Sequence, residues 1–197
     1  MGVLTELPQH LVSPLILPKV TPIFYTDLKH DLDRNFFSTV LGGPFNWANG
    51  YYEIATSAGE SVLRCDVNRL PQKYRVSVLV NNLATGQDSP HPGIVVRFSD
   101  VDNYDAVYIR AASDEVVRWR KVGGSATVTT IGATSIPHNA WVPIDIFVYG
   151  TNAHVWVNRT YITAIANVVA GDRIGLWGYS GDATLKGRYT HLLLSII

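Results

Sequence analysis

The chain has 197 residues, a length typical of one domain that buries a sizeable core without disulfides or a metal. Its 16 basic and 16 acidic side chains balance, which argues against non-specific binding of nucleic acid or an anionic membrane, because both attract a basic surplus. No apolar run reaches the roughly 18 residues of a membrane span, and no secretory signal is recognised at the N-terminus, so we predict neither feature.

The first 22 residues form a proline-rich and apolar segment. Its four prolines exclude a helix or a central strand, because proline lacks a backbone donor and fixes φ: Pro8, Pro14, Pro18 and Pro22. The segment is too apolar for a disordered tail. We therefore predict an extended attachment arm over residues 1–25, which lies along its own domain or docks on a neighbouring subunit. Five leucines would make that contact: Leu4, Leu7, Leu11, Leu15 and Leu17.

Residues 26–197 are predicted to form one all-β domain. The only helix indicated is short, over residues 27–36, where Leu28, Leu32 and Phe36 recur at helical spacing and Asp27 could cap the first turn. A loop rich in aromatic residues follows at 42–52, and about twelve to fourteen strands fill the rest of the chain. Cys65 lies in a strand-like run, where we expect it in the core as a small apolar residue.

Alternation of apolar and polar residues marks the strands, and a period of two turns one face of each strand toward a core. The clearest cases are KYRVSVLV (73–80) and PIDIFVY (143–149). The residues predicted to point inward are Tyr74, Val76, Val78, Val80, Ile144, Ile146 and Val148. Gly, Asn and Asp residues between the strands are typical of tight turns, so the pattern predicts two packed antiparallel sheets.

Four segments form a series: GIVVRFSDVDNYDAVYIR (93–110), RWRKVGG (118–124), WVPIDIFVYGTNAHVWVN (141–158) and GDRIGLWGY (171–179). The series resembles the concanavalin A-like lectin/glucanase superfamily, and within it the laminin-G-like and carbohydrate-binding jelly rolls. The resemblance implies an antiparallel jelly-roll β-sandwich and does not cover the N-terminal segment. The predicted fold is therefore an all-β, concanavalin A-like jelly roll with an extended proline-rich N-terminal arm.

The hydrolases of this superfamily resemble one another in a Glu-x-Asp-x-x-Glu strand, and no such triplet occurs in this chain. Retaining glycoside cleavage needs two carboxylates about 5–5.5 Å apart, which alternate positions on one strand face provide. We therefore predict no enzymatic activity and no catalytic residue. The alternative, a glycan-active hydrolase, needs a pair from distant positions such as Glu53 and Asp66.

Aromatic residues at strand edges and in loops give the best binding signal, because sugars stack their C–H faces on rings while Arg and Asn bond the hydroxyls. The candidate glycan-binding residues are Trp47, Tyr51, Arg97, Asn103, Trp119 and Tyr179. Core packing is the alternative for each tryptophan. It is the favoured interpretation for Trp141 and Trp177.

Metal ligands are weakly indicated. Asp100 and Asp102 offer oxygen ligands to calcium, but an Asx turn explains this Asp- and Asn-rich segment more simply. The six histidines show no zinc-binding spacing, and His91, between two prolines, is interpreted as a rigid loop residue. Calcium is thus the one candidate cofactor.

These features together predict a non-catalytic lectin-like module of an assembled particle, with a bacteriophage virion as the favoured setting and localisation. Lectin-like folds usually work outside cells, and virion proteins reach the exterior by assembly and lysis rather than through a secretion signal. The predicted partners are other virion subunits, bound through the arm, and cell-surface glycans, with no nucleic acid. Two alternatives stay open, the glycan-active hydrolase and a purely structural tail or capsid decoration protein without a ligand.

Overall fold

The structure is a computed structural model, and the residues it describes are 21–28, 35–43, 45–48, 50–54, 59–66, 70–82, 90–181 and 187–197. The structural statements below refer to these residues. Most of the predicted arm, including Leu4, Leu7, Leu11, Leu15 and Leu17, lies outside the described residues, as do residues 29–34 of the predicted helix.

The described residues are almost entirely strands: β1 (Thr21–Thr26), β2 (Phe37–Leu41), β3 (Phe45–Ala48), β4 (Tyr51–Ile54), β5 (Gly59–Cys65), β6 (Lys73–Asn82), β7 (His91–Asp100), β8 (Asn103–Arg110), β9 (Glu115–Val122), β10 (Ser125–Ala133), β11 (Trp141–Tyr149), β12 (Asn152–Val157), β13 (Thr160–Ile165), β14 (Arg173–Ser180) and β15 (Gly187–Ile196). A 3-10 turn, Ala111–Ser113, joins β8 to β9. Within these ranges, helices long and apolar enough to cross a membrane are absent.

Two antiparallel sheets contain all of these strands. The eight-stranded sheet has the order β13-β12-β11-β6-β15-β4-β3, with β1 also paired to β15. The seven-stranded sheet has the order β10-β9-β8-β7-β14-β5-β2. One apolar core draws Val76 and Ile144 from the first sheet and Ile94 and Leu176 from the second. The sheets therefore face each other across that core, and the predicted all-β sandwich is confirmed.

The residues predicted to point inward from β6 and β11 are all fully buried in this core: Tyr74, Val76, Val78, Val80, Ile144, Ile146 and Val148. Two strands in direct antiparallel register supply them, since Ile144 pairs with Val78 and Ile146 with Val76. Cys65, the single cysteine, is also buried in the core, as predicted. Period-two alternation therefore identified the core face of both central strands correctly.

The end of the predicted arm is part of the sandwich. Residues 21–25 belong to β1, which pairs with β15 and has a register shift between Pro22 and Phe24. A proline is tolerated there because a strand end or bulge does not need its missing donor. The boundary predicted after residue 25 therefore falls inside a strand. The predicted helix also does not begin at Asp27, because Leu28 is buried in the core with a left-handed φ of 55°.

Candidate functional site

The outer face of the seven-stranded sheet carries a second apolar cluster, separate from the core between the sheets. On β8 the side chains of Val107 and Ile109 face the core, so Tyr104, Ala106 and Tyr108 face outward. The neighbouring strands add Trp119 from β9, His91 from β7, and Trp177 and Tyr179 from β14. We call the set Tyr108, Trp119, Trp177, Tyr179 and His91 the aromatic face.

A glycine makes the centre of the aromatic face possible. Gly93 of β7 pairs with Tyr108 on one side and with Trp177 on the other. Because Gly93 has no side chain, the two rings lean across it and stack with centroids 4.5 Å apart and planes 24° apart. A Cβ at this position would lie 2.5 Å from Cβ of Tyr108, so another residue here would push the ring away.

Three further rings surround this stack. His91 stacks on Tyr179 at 6.0 Å and on Tyr108 at 5.7 Å between ring centroids. Trp119 lies 5.4 Å from Trp177 and 6.2 Å from Tyr179. Tyr108 and Trp177 are buried, whereas His91, Trp119 and Tyr179 are half-buried. The half-buried rings are the ones that a ligand can cover.

The carboxylate of Glu60 contacts the aromatic face. Glu60 of β5 pairs with Tyr179, and its Oε1 accepts a hydrogen bond from the Trp177 indole N–H at 3.4 Å. The indole N–H of Trp119 points to the same carboxylate without closing a hydrogen bond of normal geometry. Lys121 Nζ lies 3.5 Å from Glu60 Oε2. Burial raises the pKa of Glu60, although Lys121 and the indoles act in the opposite direction. The face therefore combines half-buried rings with hydrogen-bonding groups of positive and negative charge.

The structure brings two of the predicted glycan-binding residues together, since Trp119 and Tyr179 both belong to the aromatic face. Arg97 is placed elsewhere. Its Nη2 donates to the carbonyl of Gly150 at 2.9 Å and its Nη1 to the carbonyl of Gly171 at 3.4 Å. Arg97 thus holds two loops at one end of the sandwich and is not part of the aromatic face.

The side chain of Asn103 is also hydrogen-bonded within the protein, at two turns. Its Nδ2 donates to Asp100 Oδ1 at 2.9 Å, and its Oδ1 accepts from the Gly123 N–H at 3.0 Å. These bonds join the β7–β8 turn to the β9–β10 turn. Both polar atoms of the Asn103 amide are therefore used within the protein.

Trp47 and Tyr51 lie in the β3–β4 hairpin of the eight-stranded sheet, whereas the aromatic face belongs to the seven-stranded sheet. Trp47 pairs with Tyr52, a core residue, so it points toward the core side, although its position on the edge strand leaves it 40% exposed. Tyr51 alternates with Tyr52 and faces the opposite side. The two residues therefore cannot belong to one site.

Two expectations for tryptophan have different outcomes. Trp177 is fully buried, as expected, although in the outer cluster rather than between the sheets. Trp141 is 40% exposed, so the core interpretation is wrong for it. The physical reason is alternation at the start of β11, where Val142 takes the inward position and leaves Trp141 on the outer face.

The predicted calcium ligands form an Asx turn. Asp100 Oδ1 accepts hydrogen bonds from the Asp102 N–H at 2.9 Å and from the Asn103 side chain. The bonds from Asn103 and from the Asp102 backbone lower the pKa of Asp100. In the part of the chain that the structure describes, three or more His, Cys, Asp or Glu side chains are nowhere grouped to hold a metal. The Asx-turn interpretation is confirmed.

Several residues of the site were not predicted from the sequence, among them Tyr108 at its centre. The sequence patterns single out neither Glu60 nor Lys121 as a binding residue. His91 was interpreted as a rigid loop residue, whereas it is the first residue of β7 and stacks on two rings. The signal available for His91 was its position two residues before Gly93 in an alternating segment, which places both on one face.

The carboxylates proposed for a hydrolase belong to different sheets. Glu53 lies in β4 of the eight-stranded sheet, where its Oε1 accepts from Arg188 Nε at 2.9 Å. Asp66 follows β5 of the seven-stranded sheet and accepts hydrogen bonds from Ser38 and from Arg64 Nε. Burial alone would raise the pKa of Asp66, but these two hydrogen bonds outweigh it and lower that pKa.

Sequence comparisons identify no relatives. No protein-family model matches the chain, and no curated protein sequence is similar to it.

Comparison of structures identifies the fold. A protein of unknown function with a galectin-like fold from Bacillus subtilis superimposes over 89% of this chain and 97% of its own, with a TM-score of 0.67 and 9% identity. The carbohydrate-binding module CBM66 from Bacillus subtilis covers 81% of this chain and 94% of its own, with a TM-score of 0.63 and 12% identity. The fold is a concanavalin A-like jelly roll, as predicted.

The same sandwich also occurs within a larger protein. A mutant of the GH43 protein BlXynB from Bacillus licheniformis covers 88% of this chain but only 39% of its own, with a TM-score of 0.66 and 10% identity. This chain therefore corresponds to about two-fifths of that protein's length.

Proposed function

We propose that this protein is a non-catalytic carbohydrate-binding module that holds a glycan on the aromatic face. The observation that carries the proposal is the group of half-buried rings, Trp119, Tyr179 and His91, next to the hydrogen-bonding pair Glu60 and Lys121. Flat rings stack on the C–H faces of sugars, and a carboxylate with an ammonium group beside it accepts from and donates to hydroxyls. The likeness of the fold to a carbohydrate-binding module supports this assignment.

The spacing of the carboxylates supports binding without catalysis. The two glutamates on the outer face of the seven-stranded sheet are Glu60 on β5 and Glu115 on β9, and three strands lie between them. Four strand spacings of about 4.8 Å separate their backbones by about 19 Å. Glycosidases place their two carboxylates about 5–9.5 Å apart. The carboxylate of Glu115 in addition accepts hydrogen bonds from Arg110, Ser113 and Thr130.

The test is a binding assay with isothermal titration calorimetry on the wild type, Trp119→Ala and Tyr179→Ala, with xylohexaose, cellohexaose and mannohexaose as probes. We expect the wild type to bind at least one probe and each variant to lose about tenfold or more in affinity. Stacking of a nucleic-acid base on an aromatic side chain is worth about 1–3 kcal/mol, and we take a similar value for a sugar. Trp47→Ala is the matched control, because Trp47 is a solvent-accessible tryptophan that lies on the other sheet. Equal binding by all four proteins would exclude the aromatic face.

A reducing-sugar assay on the same oligosaccharides separates this proposal from the hydrolase. We expect no release of sugar by the wild type. Release that Glu60→Gln or Glu53→Gln abolishes would establish the enzyme instead. Absence of binding and of release for all probes would favour the structural decoration protein.

The assembled particle, with a phage virion as its favoured case, remains part of the proposal. Its test is size-exclusion chromatography with light scattering on the full chain and on residues 21–197, which keep β1 intact. We expect the full chain to self-associate or to bind particle subunits and the shortened chain to be monomeric. A monomeric full chain that binds no particle would contradict attachment through the arm.

A further inference from the structure

A row of four side chains crosses the outer face of the eight-stranded sheet, on the other side of the sandwich from the aromatic face. Trp141 pairs with Asn81, Asn81 with Arg188, and Arg188 with Glu53, each on the neighbouring strand. Their sequence neighbours Val142, Val80, Tyr189 and Tyr52 all belong to the core. The four side chains therefore share the outward face, and we call them the Trp141 row.

Two rings and a fixed guanidinium group line the Trp141 row. Trp141 is 40% exposed, and its ring centroid lies 6.3 Å from that of Tyr51. The guanidinium carbon of Arg188 lies 4.3 Å from the Tyr51 ring centroid, and its Nε donates to Glu53 at 2.9 Å. Tyr51 and Glu53 thus hold Arg188 in place, with its guanidinium group on the outward face next to Asn81.

Between Trp141 and Arg188 lies an unsatisfied acceptor. Asn81 is only 7% exposed, and its Oδ1 is buried without a hydrogen-bond partner among the described residues. Buried amide oxygens are nearly always hydrogen-bonded, because leaving one unpaired forfeits the hydration that it had in the unfolded chain. A donor supplied by a ligand would satisfy it.

We propose that the Trp141 row is a second binding site, for one neutral sugar residue. The sugar stacks on Trp141, donates one hydroxyl to Asn81 Oδ1 and accepts from a terminal nitrogen of Arg188. A neutral sugar fits better than a uronic acid, because Glu53 already compensates the charge of Arg188. This inference goes beyond the proposed function, since it adds a site on the opposite sheet and makes the module bivalent for polysaccharide chains.

Indole NMR on the full chain tests the two sites separately. Tryptophan is labelled with ¹⁵N, the five indole signals are assigned by single Trp→Phe variants, and the protein is titrated with xylohexaose, cellohexaose, mannohexaose and hexagalacturonate. We expect the Trp141 signal to shift with a neutral probe in the wild type and equally in Trp119→Ala.

A Trp141 signal that no probe shifts, while Trp119 responds, overturns the second site and leaves the proposed function intact. A shift of Trp141 alone supports the second site and contradicts the aromatic face. A response stronger to hexagalacturonate than to every neutral probe overturns the assigned sugar class.

Asn81→Leu provides a second test, in which the melting temperature and binding at Trp141 are both measured. If Asn81 were purely structural, its replacement would not weaken binding while leaving the melting temperature unchanged. Removing an unpaired buried amide should leave the melting temperature unchanged or higher, while binding at Trp141 weakens about tenfold because one hydrogen bond is lost. Trp47→Ala is again the matched control and should leave the Trp141 titration unchanged. A lower melting temperature for Asn81→Leu, together with unchanged Trp141 binding, would overturn the role of Asn81 as a ligand acceptor.

Discussion

The rings of Tyr108 and Trp177 stack at 4.5 Å although their strands, β8 and β14, are not neighbours. Strand β7 lies between them, so their backbones are about 10 Å apart. The contact exists because β7 presents Gly93 at the point where both strands pair with it. This arrangement builds a continuous aromatic surface from three strands.

Gly93→Ala should break this surface. The new Cβ would lie 2.4 Å from the Val107 carbonyl and 2.5 Å from Cβ of Tyr108, and backbone cannot yield as a flexible side chain does. We expect a loss of about 1–3 kcal/mol in the free energy of unfolding, measured with urea. The near-ultraviolet dichroism of the stacked rings should fall as well. Gly123→Ala is the control. A Cβ added at Gly123 would meet open space, and the residue has a left-handed φ of 55°. It should cost about 1 kcal/mol and leave the dichroism unchanged.

The buried charge of Asp145 should be essential for stability. Its Oδ1 accepts from Arg75 Nη2 at 2.5 Å and from Ser77, and both charged side chains are nearly inaccessible. Asp145→Ala removes the carboxylate that pairs with the buried Arg75 guanidinium group, so we expect a loss of about 3–5 kcal/mol in the free energy of unfolding. Chemical denaturation measures the change.

An exposed ion pair provides the comparison for that prediction. Asp172→Ala removes the partner of Arg173 in a pair whose aspartate side chain is 53% exposed. We expect Asp172→Ala to change the free energy of unfolding by about 0–1 kcal/mol. Equal losses for Asp145→Ala and Asp172→Ala would contradict the role of burial.

Glu60→Gln should stabilise the protein near neutral pH. Burial raises the pKa of Glu60 in the folded state, so the protonated form is favoured there relative to the unfolded chain. This contribution to stability is fully present below the ordinary value of 4.5 and is lost as the pH rises through the folded-state pKa. Glutamine resembles the protonated acid at every pH. The melting temperature of Glu60→Gln should therefore exceed that of the wild type at pH 7 and equal it at pH 4.

Glu115→Gln is the control of opposite sign. Hydrogen bonds, first of all from Ser113, lower the pKa of Glu115, so its ionised form stabilises the folded state above the ordinary value and that contribution is lost as the pH falls. Glu115→Gln should therefore lower the melting temperature at pH 7. A pH-independent effect of both substitutions would show that the two carboxylates do not titrate as described.

Val78→Asp should unfold the domain. Val78 is completely buried between the sheets, where a lone carboxylate has no partner and no water. Val128→Asp makes the same chemical change at a position 44% exposed on the edge strand β10 and should be nearly neutral. Soluble expression and thermal denaturation followed by circular dichroism distinguish the two. A folded Val78→Asp protein with an unchanged melting temperature would disprove the assigned register.

The local sequence determined the strands and the face that each turns inward. Alternation in β6 and β11 was enough to place Val76, Val78, Ile144 and Ile146 in the core, because successive side chains of a strand always point to opposite sides. The Asx turn at Asp100 was also predictable, since its hydrogen bonds reach only two or three residues along the chain.

Only the tertiary structure decided which side chains meet. Glu60 and Trp177 are 117 positions apart and touch because β5 pairs with β14. Trp47 and Tyr51 are four residues apart and face opposite sides of one hairpin. Whether Arg97 binds a ligand or holds two loops depended on where Gly150 and Gly171 lie in space. Sequence periodicity reports the direction of a side chain relative to its own strand, but strand order in the sheet selects its neighbours, and that order is set by the packing of the whole domain.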